Sequence, residues 1–224
     1  MHSPRFGSVP ARRVRRSAAV AAALAAVALT AAACGSKNAT PTTDVPNVTG
    51  TNATVQLDSS LLSTLSSLKI NPSVSGGVVF NQTTWTLPIT GGHFAIYRKA
   101  DADPSVQGEL DSTNSTMTLT SGSTTVKLTD LKVELFKDPT IQADIQVGSE
   151  DAHDNVALVQ FDRTTMSPLD HNSNDGTYTL SHGQGYISSD AADILNPAFN
   201  TQVIKGGIGT GTKVGTGTIV IATK

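Results

Sequence analysis

The chain has 224 residues, a formal net charge of −2, 15% charged and 4% aromatic residues, and a single cysteine. One cysteine excludes an intramolecular disulfide, so the fold must rely on its core, which a chain of this length can build. From residue 34 onward, 18 acidic residues stand against 11 basic ones. This balance argues against nucleic-acid binding, where a clustered basic face is expected.

The first 33 residues have the pattern of a secretory signal peptide. Five arginines and no acidic residue precede position 17, and an Ala/Val/Leu run covers 18–33. Because this run is shorter than the roughly 20 residues that cross a bilayer, we expect cleavage rather than a permanent span. Two arginine pairs, at 12–13 and 15–16, leave open whether export follows the general or the twin-arginine route.

The segment that ends the apolar run, LTAAACGS at 29–36, places Cys34 between small residues. It resembles the lipobox of bacterial lipoproteins, with Ala31 where that motif usually has leucine. The resemblance implies that Cys34 is acylated, becomes the mature N-terminus and anchors the protein on the extracytoplasmic face of the cell membrane. The alternative is a cysteine that happens to lie near an ordinary cleavage site. As a whole, the chain resembles uncharacterised secreted β-rich lipoproteins of high-GC Gram-positive bacteria.

Residues 34–53 are mostly polar, with Val45 and Val48 as their two valines. So few apolar side chains cannot offset the entropy of ordering, which predicts a flexible tether between the anchor and the folded domain. The remaining residues, 54–224, are expected to form a single β-rich domain.

Nine short segments rich in Val, Ile, Thr and aromatic residues are separated by turn formers, and many of them alternate apolar and polar positions. They cover 83–89, 93–97, 115–120, 124–128, 131–136, 141–147, 156–161, 177–180 and 217–223. Strands at this spacing predict an all-β fold, an antiparallel β-sandwich or barrel-like domain.

Two segments predict short helices. One covers 58–70 with four leucines on one face, and the other covers 188–199 and should end at Pro197. Each follows a short strand and leads into a glycine-containing stretch, which suggests a weak pseudo-repeat at the two ends of the domain. Two unrelated capping helices are the alternative.

The densest group of aromatic and polar residues lies within 84–104, and it contains the candidate ligand-binding residues. They are Trp85, His93, Phe94, Tyr97 and Arg98. Binding sites for apolar ligands combine aromatic side chains with a few polar groups. Core packing of alternate residues on two strands is the competing interpretation.

No catalytic residue, cofactor or metal site is predicted. The glycine-rich stretch 206–217 lacks the Gly-Lys-Ser/Thr triplet of a phosphate-binding loop, and it favours a bulged strand or hairpin. The polar stretches 149–155 and 170–176 favour a solvated loop and a tight turn over ion binding. A hydrolase with dispersed residues stays open, with His93, His153, His171 and His182 as its candidates.

Residues 93–147 contain a polar hairpin, a GELDSTNSTMTLT passage and a PTIQAD strand. In these features they resemble the central part of the haem-transport (Hta-type) domains of Gram-positive surface proteins. The resemblance implies a β-rich fold and haem as one possible ligand, although Tyr97 does not match the position of the family's haem-ligating tyrosine. The sequence therefore predicts a lipid-anchored, non-enzymatic binding or cell-envelope module, whose partner is an envelope protein or a small ligand. A carrier of a small apolar ligand such as haem is the first alternative, and an envelope hydrolase the second.

Overall fold

A computed structural model describes residues 39–223. The predicted signal peptide, Cys34 and the first residues of the predicted tether lie outside this range. Within 39–223, no helix combines the length and the hydropathy needed to cross a bilayer.

The described residues form fourteen strands and two α-helices, with a single 3-10 turn at Arg163–Thr165. In chain order the elements are β1 Thr43–Val45, β2 Gly50–Leu57, α1 Ser59–Ser67, β3 Asn71–Ser75, β4 Val79–Phe80, β5 Thr84–Pro88, β6 Gly91–Ile96, β7 Val106–Asp111, β8 Thr116–Ser121, β9 Thr124–Glu134, β10 Thr140–Val147, β11 His153–Asp162, β12 Asp170–Asn172, β13 Thr177–Ile187, α2 Ser189–Ala198 and β14 Lys213–Ala222.

The strands form one curled antiparallel sheet in the order β1-β6-β7-β9-β10-β11-β13-β14-β2-β5-β4. Three short strands lie off this path: β12 pairs with β13, and β3 reaches the sheet through β8, which pairs with the first half of β9. β5 and β6 lie near opposite ends of the order, yet only Ile89 and Thr90 separate them in the chain. This short connection brings the two ends of the sheet together, so the sheet curls into the barrel-like all-β fold that the sequence predicts.

Two bulges join strands that the sequence analysis separates. Asp130 has a φ of 49°, and the register of β9 against β10 shifts beside it, so 124–128 and 131–136 belong to one long strand and its continuation. His182 has a φ of 64° at a similar shift in β13. The SHG segment at 181–183 therefore lies inside a bulged strand.

The core fills the inside of the curled sheet with alternate apolar residues from nearly every strand. Its largest fully buried side chains are Phe94, Leu87, Leu110, Leu128, Leu131, Leu135, Ile141, Ile145 and Ile221. The rings of Phe94 and of Tyr178 on β13 pack in a T-shaped arrangement, with 5.2 Å between the ring centroids. Consecutive residues of each strand alternate between this core and the outer surface, which is why the strand pattern is legible in the sequence.

Three glycines on two neighbouring strands leave space for one buried aromatic ring, and we call these three residues the glycine floor. Gly183 and Gly185 on β13 and Gly217 on β14 surround Phe161 of β11, which is 3% exposed. A Cβ built on Gly217 would stand 2.6 Å from Phe161 Cε1, closer than any real contact of this kind. The glycines at alternate positions in these two strands therefore make room for the ring, and this explains part of the glycine-rich pattern at 206–217 that was compared with a phosphate-binding loop.

The prediction of a flexible tether over 34–53 is wrong for its described part. β1 pairs with β6, and β2 lies between β14 and β5. Val48 is 5% exposed, and its amide donates to the Gly92 carbonyl at 2.9 Å. Backbone hydrogen bonds to neighbouring strands order this segment, so it needs few apolar side chains. The folded domain begins near residue 42 rather than at 54.

Both predicted helices are present, and each begins directly after a strand. α1 has Asp58 as its N-cap and α2 has Ser188. α2 continues one residue past Pro197, to Ala198, instead of ending at the proline. β2 and β13 both border β14 and run in the same direction, so the two helices start at the same end of the sheet. The strand–helix units of the suggested pseudo-repeat thus flank β14.

Candidate functional site

Helix α1 carries its leucines without burying them. Leu61, Leu62, Leu65 and Leu68 are all half-exposed, and no residue of α1 is buried. By contrast, α2 buries Ala191, Ala192 and Leu195 against the sheet. A leucine stripe normally packs into a core. Here Leu61, Leu65 and Leu68 pack against the core only in part and line a cavity, whereas Leu62 does not line it.

That space is an apolar groove between α1, α2 and the strands beneath them, which we call the helix groove. Its volume is about 90 Å³. Residues from both helices and nine strands form its walls and floor, including Leu61, Leu65, Leu68, Trp85, Met117, Leu119, Leu128, Leu158, Ile187, Leu195, Phe199 and Val214. None of the described residues that line the groove has a charged side chain, and the accessible surface of the groove is entirely apolar.

α1 is attached at its two ends. At its start, the Asp58 amide donates to the Val214 carbonyl at 2.9 Å, and the Asp58 carboxylate lies 3.6 Å from Lys213 Nζ. Past its end, Ser121 Oγ donates to the Leu68 carbonyl at 2.8 Å. Hydrogen bonds from the Ser60 amide and hydroxyl, helped by Lys213, hold the pKa of Asp58 below its ordinary value. The middle of the helix, which faces the groove, has no such attachment among these contacts.

The side of the helix groove formed by α2 is fixed by hydrogen bonds and close backbone packing. Asn196 donates to the Ile204 carbonyl at 2.8 Å and accepts from the Ile204 amide at 3.2 Å, which fixes the loop after α2. Gly206 passes so close to the start of α2 that an added Cβ would meet Ser189 Cα at 2.3 Å. The groove therefore lies between one tightly packed helix and one loosely packed helix.

Trp85 is the predicted ligand-binding residue that lies at this groove. It is 3% exposed, and within the described residues its Nε1 has no hydrogen-bond partner. An unpaired buried N–H costs about 1–3 kcal/mol. Such a cost is tolerated more readily at a site with another role than in ordinary core packing.

The other predicted site residues are dispersed. Phe94 is fully buried in the core, whereas His93 and Arg98 are exposed. Tyr97 is half-buried and lines a different cavity. The structure therefore places Trp85 and Tyr97 at two different cavities, with Phe94 in the core between strands and His93 and Arg98 on the surface.

The cavity at Tyr97 is an open cleft of about 800 Å³, which we call the basal cleft. Three segments, within 96–106, 135–139 and 163–169, form most of its border. Along β9, Leu128 lines the helix groove and Leu135, just past the strand, lines the basal cleft. Seven residues of strand span at most about 23 Å, and the bulge at Asp130 shortens this distance, so the two cavities lie toward opposite ends of β9.

The four candidate histidines are exposed and lie on β6, β11, β12 and β13. His171 stacks on Tyr178, with 4.2 Å between ring centroids. His182 Nδ1 lies 2.8 Å from Ser167 Oγ and 3.1 Å from Ser181 Oγ. A serine beside a histidine is only the first element of a nucleophile–base pair, which also needs an orienting group and an oxyanion site.

Within 39–223, no group of three or more His, Cys, Asp or Glu side chains is placed to hold a metal ion. Among the residues that line the helix groove, Met117 is the side chain of a type that ligates haem iron. The sequence analysis identified the α1 leucines as a helix face but not as a site. The sequence feature that indicates this site is a helix composed of leucine, serine and threonine, without any charged residue.

No protein-family model and no curated protein sequence matches this chain. Its structure is similar to that of the C-terminal domain of HtaA from Corynebacterium glutamicum, with a TM-score of 0.53 and 12% sequence identity over 78% of this chain and 97% of that domain. The N-terminal domain of HtaA has 14% identity over 79% and 99%, with a TM-score of 0.48. At the level of the fold, the first likeness agrees with the Hta-type resemblance of 93–147.

Proposed function

We propose that this chain is an extracytoplasmic module, anchored to the membrane through acylated Cys34, that binds a slim apolar ligand in the helix groove without chemical conversion. The lipobox-like segment supports the anchor. The observation that carries the binding function is the half-exposed leucine stripe of α1 over an uncharged, apolar cavity.

The groove favours an uncharged, narrow ligand. A volume of about 90 Å³ is smaller than the roughly 150 Å³ apolar cavity that admits benzene. An acyl chain or a small ring that enters lengthwise from the open side suits this space better than a broad ligand. Because full burial of one leucine side chain contributes about 1.5–3 kcal/mol, a ligand that covers the α1 stripe gains substantial affinity.

An uncharged, narrow fluorescent acyl chain, the methyl ester of cis-parinaric acid, serves as the dye that tests the groove. We expect the mature protein to bind it, and Leu65→Gln to weaken binding by about tenfold or more. Leu62→Gln is the matched control, because Leu62 is equally half-exposed on α1 but does not line the groove. Equal loss in both variants, or no binding by the unaltered protein, would contradict the proposal.

Haem is the second candidate ligand, supported by the fold likeness to an HtaA domain and by the resemblance of 93–147. The fit is poor in this conformation, because the groove is narrow and Met117 is its single iron-ligating side-chain type. Haem would require α1 to move outward. Titration with haemin should separate the two ligands: a Soret band that shifts in Met117→Leu would favour haem, and an unchanged spectrum of free haemin would exclude it.

The anchor has its own test. Mass spectrometry of the protein from its native membrane should give Cys34 as the N-terminal residue with attached acyl groups. Cys34→Ser should leave the membrane fraction. A membrane-bound Cys34→Ser protein without acyl groups would refute lipid anchoring, whatever the groove binds.

A further inference from the structure

β1, the first strand of the described chain, lies beside the basal cleft. The Thr42 amide and hydroxyl both donate to the Ile96 carbonyl, at 2.7 and 2.9 Å, and Thr43 is paired with Ile96. Ile96 itself lines the cleft. Eight residues, 34–41, then connect Cys34 to the sheet, and a chain of that length spans at most about 28 Å. A membrane that holds Cys34 therefore lies within that distance of the basal cleft.

The border of the cleft is suited to the surface of a bilayer. Phe136 is 43% exposed in the loop after β9, and Tyr97 lines the cleft half-buried. An exposed phenylalanine and an amphipathic tyrosine favour the boundary between headgroups and acyl chains. Pro168 and Leu169 add further apolar residues to the lining of the cleft.

The distribution of charged residues also favours contact between the cleft border and an anionic surface. Residues 39–223 hold nine basic and 18 acidic residues. The three segments that border the basal cleft hold four of those basic residues, Arg98, Lys99, Lys137 and Arg163, against three acidic ones. One of these acids, Asp103, is paired with Arg163 at 2.8 Å. The border of the basal cleft therefore carries a small net positive charge, although the domain as a whole is acidic.

We propose that the basal cleft and its loops dock on the anionic surface of the membrane that anchors the protein. This inference rests on the proposed acylation of Cys34. Docking then holds the helix groove away from the lipid, at the other end of β9, by at most about 23 Å. The occupant of the cleft border is the phospholipid bilayer itself rather than a second protein.

The test uses the mature acylated protein, reconstituted in vesicles of neutral phosphatidylcholine with about 30% phosphatidylglycerol. Because acylation consumes the native thiol, an introduced cysteine can be labelled selectively with an environment-sensitive dye. We place the dye in Asp138→Cys, beside the cleft, and in the control Val203→Cys, which is exposed near the helix groove. Nitroxide-bearing lipids should quench the dye at 138 several-fold more strongly than the dye at 203.

Variants then identify the contacts. Lys99→Gln and Lys137→Gln should each lower the ratio of docked to undocked protein by about fivefold, since one cation near an anionic surface contributes about a factor of five. Phe136→Ser should lower it by about tenfold. Lys205→Gln, in the loop after α2, is the control and should leave the ratio unchanged.

Three further outcomes are informative. Equal quenching at 138 and 203 would overturn the docking proposal while Cys34 acylation stands. A chain whose Cys34 carries no acyl group would overturn both anchoring and docking. Retention of dye binding by the helix groove in Phe136→Ser would confirm that the variant is folded and that quenching reports docking alone.

Discussion

Replacing Gly217 by alanine should destabilise the domain by about 1–3 kcal/mol, because the added methyl group would stand 2.6 Å from Phe161 Cε1 and 3.1 Å from its Cζ. The ring is 3% exposed and is also approached by the positions of Gly185 and Gly183, so it cannot retreat without moving β13. Overpacking of this kind has a cost in that range.

The reasoning is tested by a double-mutant cycle with Phe161→Leu. That change alone removes packing contacts, but it also removes the ring atoms that the methyl group added by Gly217→Ala would strike. The double variant should therefore be more stable than the sum of the two single effects predicts, by about 1 kcal/mol or more.

Urea unfolding followed by the fluorescence of Trp85 is a suitable assay, because this is the single tryptophan of the chain and it is buried. Gly91→Ala is the control, since its Cβ would meet Asp111 Oδ2 at an ordinary 3.6 Å, and its stability should change by less than about 0.5 kcal/mol. Strict additivity in the cycle, or an unchanged midpoint for Gly217→Ala, would refute the glycine-floor explanation.

Three further predictions follow from other elements. Asp58→Ala should lower the free energy of unfolding by about 1 kcal/mol at neutral pH through loss of the α1 cap, whereas Asp58→Asn should keep most of the capping stabilisation. Because folding lowers the pKa of Asp58, the penalty of Asp58→Ala should be complete above about pH 4 and disappear as the pH falls below the folded-state pKa. Urea unfolding at a series of pH values measures this dependence. Val48→Asp should destabilise the fold by more than about 2 kcal/mol, because it places a charge at a buried position, whereas Asn47→Asp at an exposed position should have little effect. Similar urea-unfolding midpoints for the two variants would support the flexible-tether interpretation instead. Trp85→Ala should lower the free energy of unfolding, followed by circular dichroism, by about 3–5 kcal/mol. Trp85→Phe should lower it far less, because phenylalanine keeps an aromatic ring in the core and removes the unpaired buried N–H of the tryptophan.

The sequence predicts strands best where one face is buried. β10 and β14 alternate apolar and polar residues, and they are found close to their predicted positions. β1, β3 and β12 were missed because they are held mainly by backbone pairing, which leaves no apolar pattern.

β7 was missed for a different reason. Its VQGELD sequence is interrupted by Gly108, which the strand needs because a Cβ there would meet the His93 carbonyl oxygen at 2.3 Å. A glycine required by a close crossing of two strands is indistinguishable, in the sequence, from a turn former.

The candidate site could be predicted only in its parts. The leucine stripe of α1 and the buried Trp85 are both visible in the sequence, but their meeting depends on which strands become neighbours. Pairing of β2 with β14, and of β14 with β13, brings the two helices to one end of the sheet. The two helices are more than a hundred positions apart in the chain, and local patterns do not encode contacts over such a distance.

The pairing of β1 with β6 has a mechanical consequence. On a protein anchored through Cys34, tension between membrane and domain would act first on this three-residue strand at the edge of the sheet, opening its hydrogen bonds one pair at a time. Release of residues 42–49 would lengthen the tether by about 27 Å. Only then would the load reach β2, which is held on both sides by β14 and β5. β1 would thus serve as a reversible extension element, because its release lengthens the chain between membrane and domain before the force reaches the core strands.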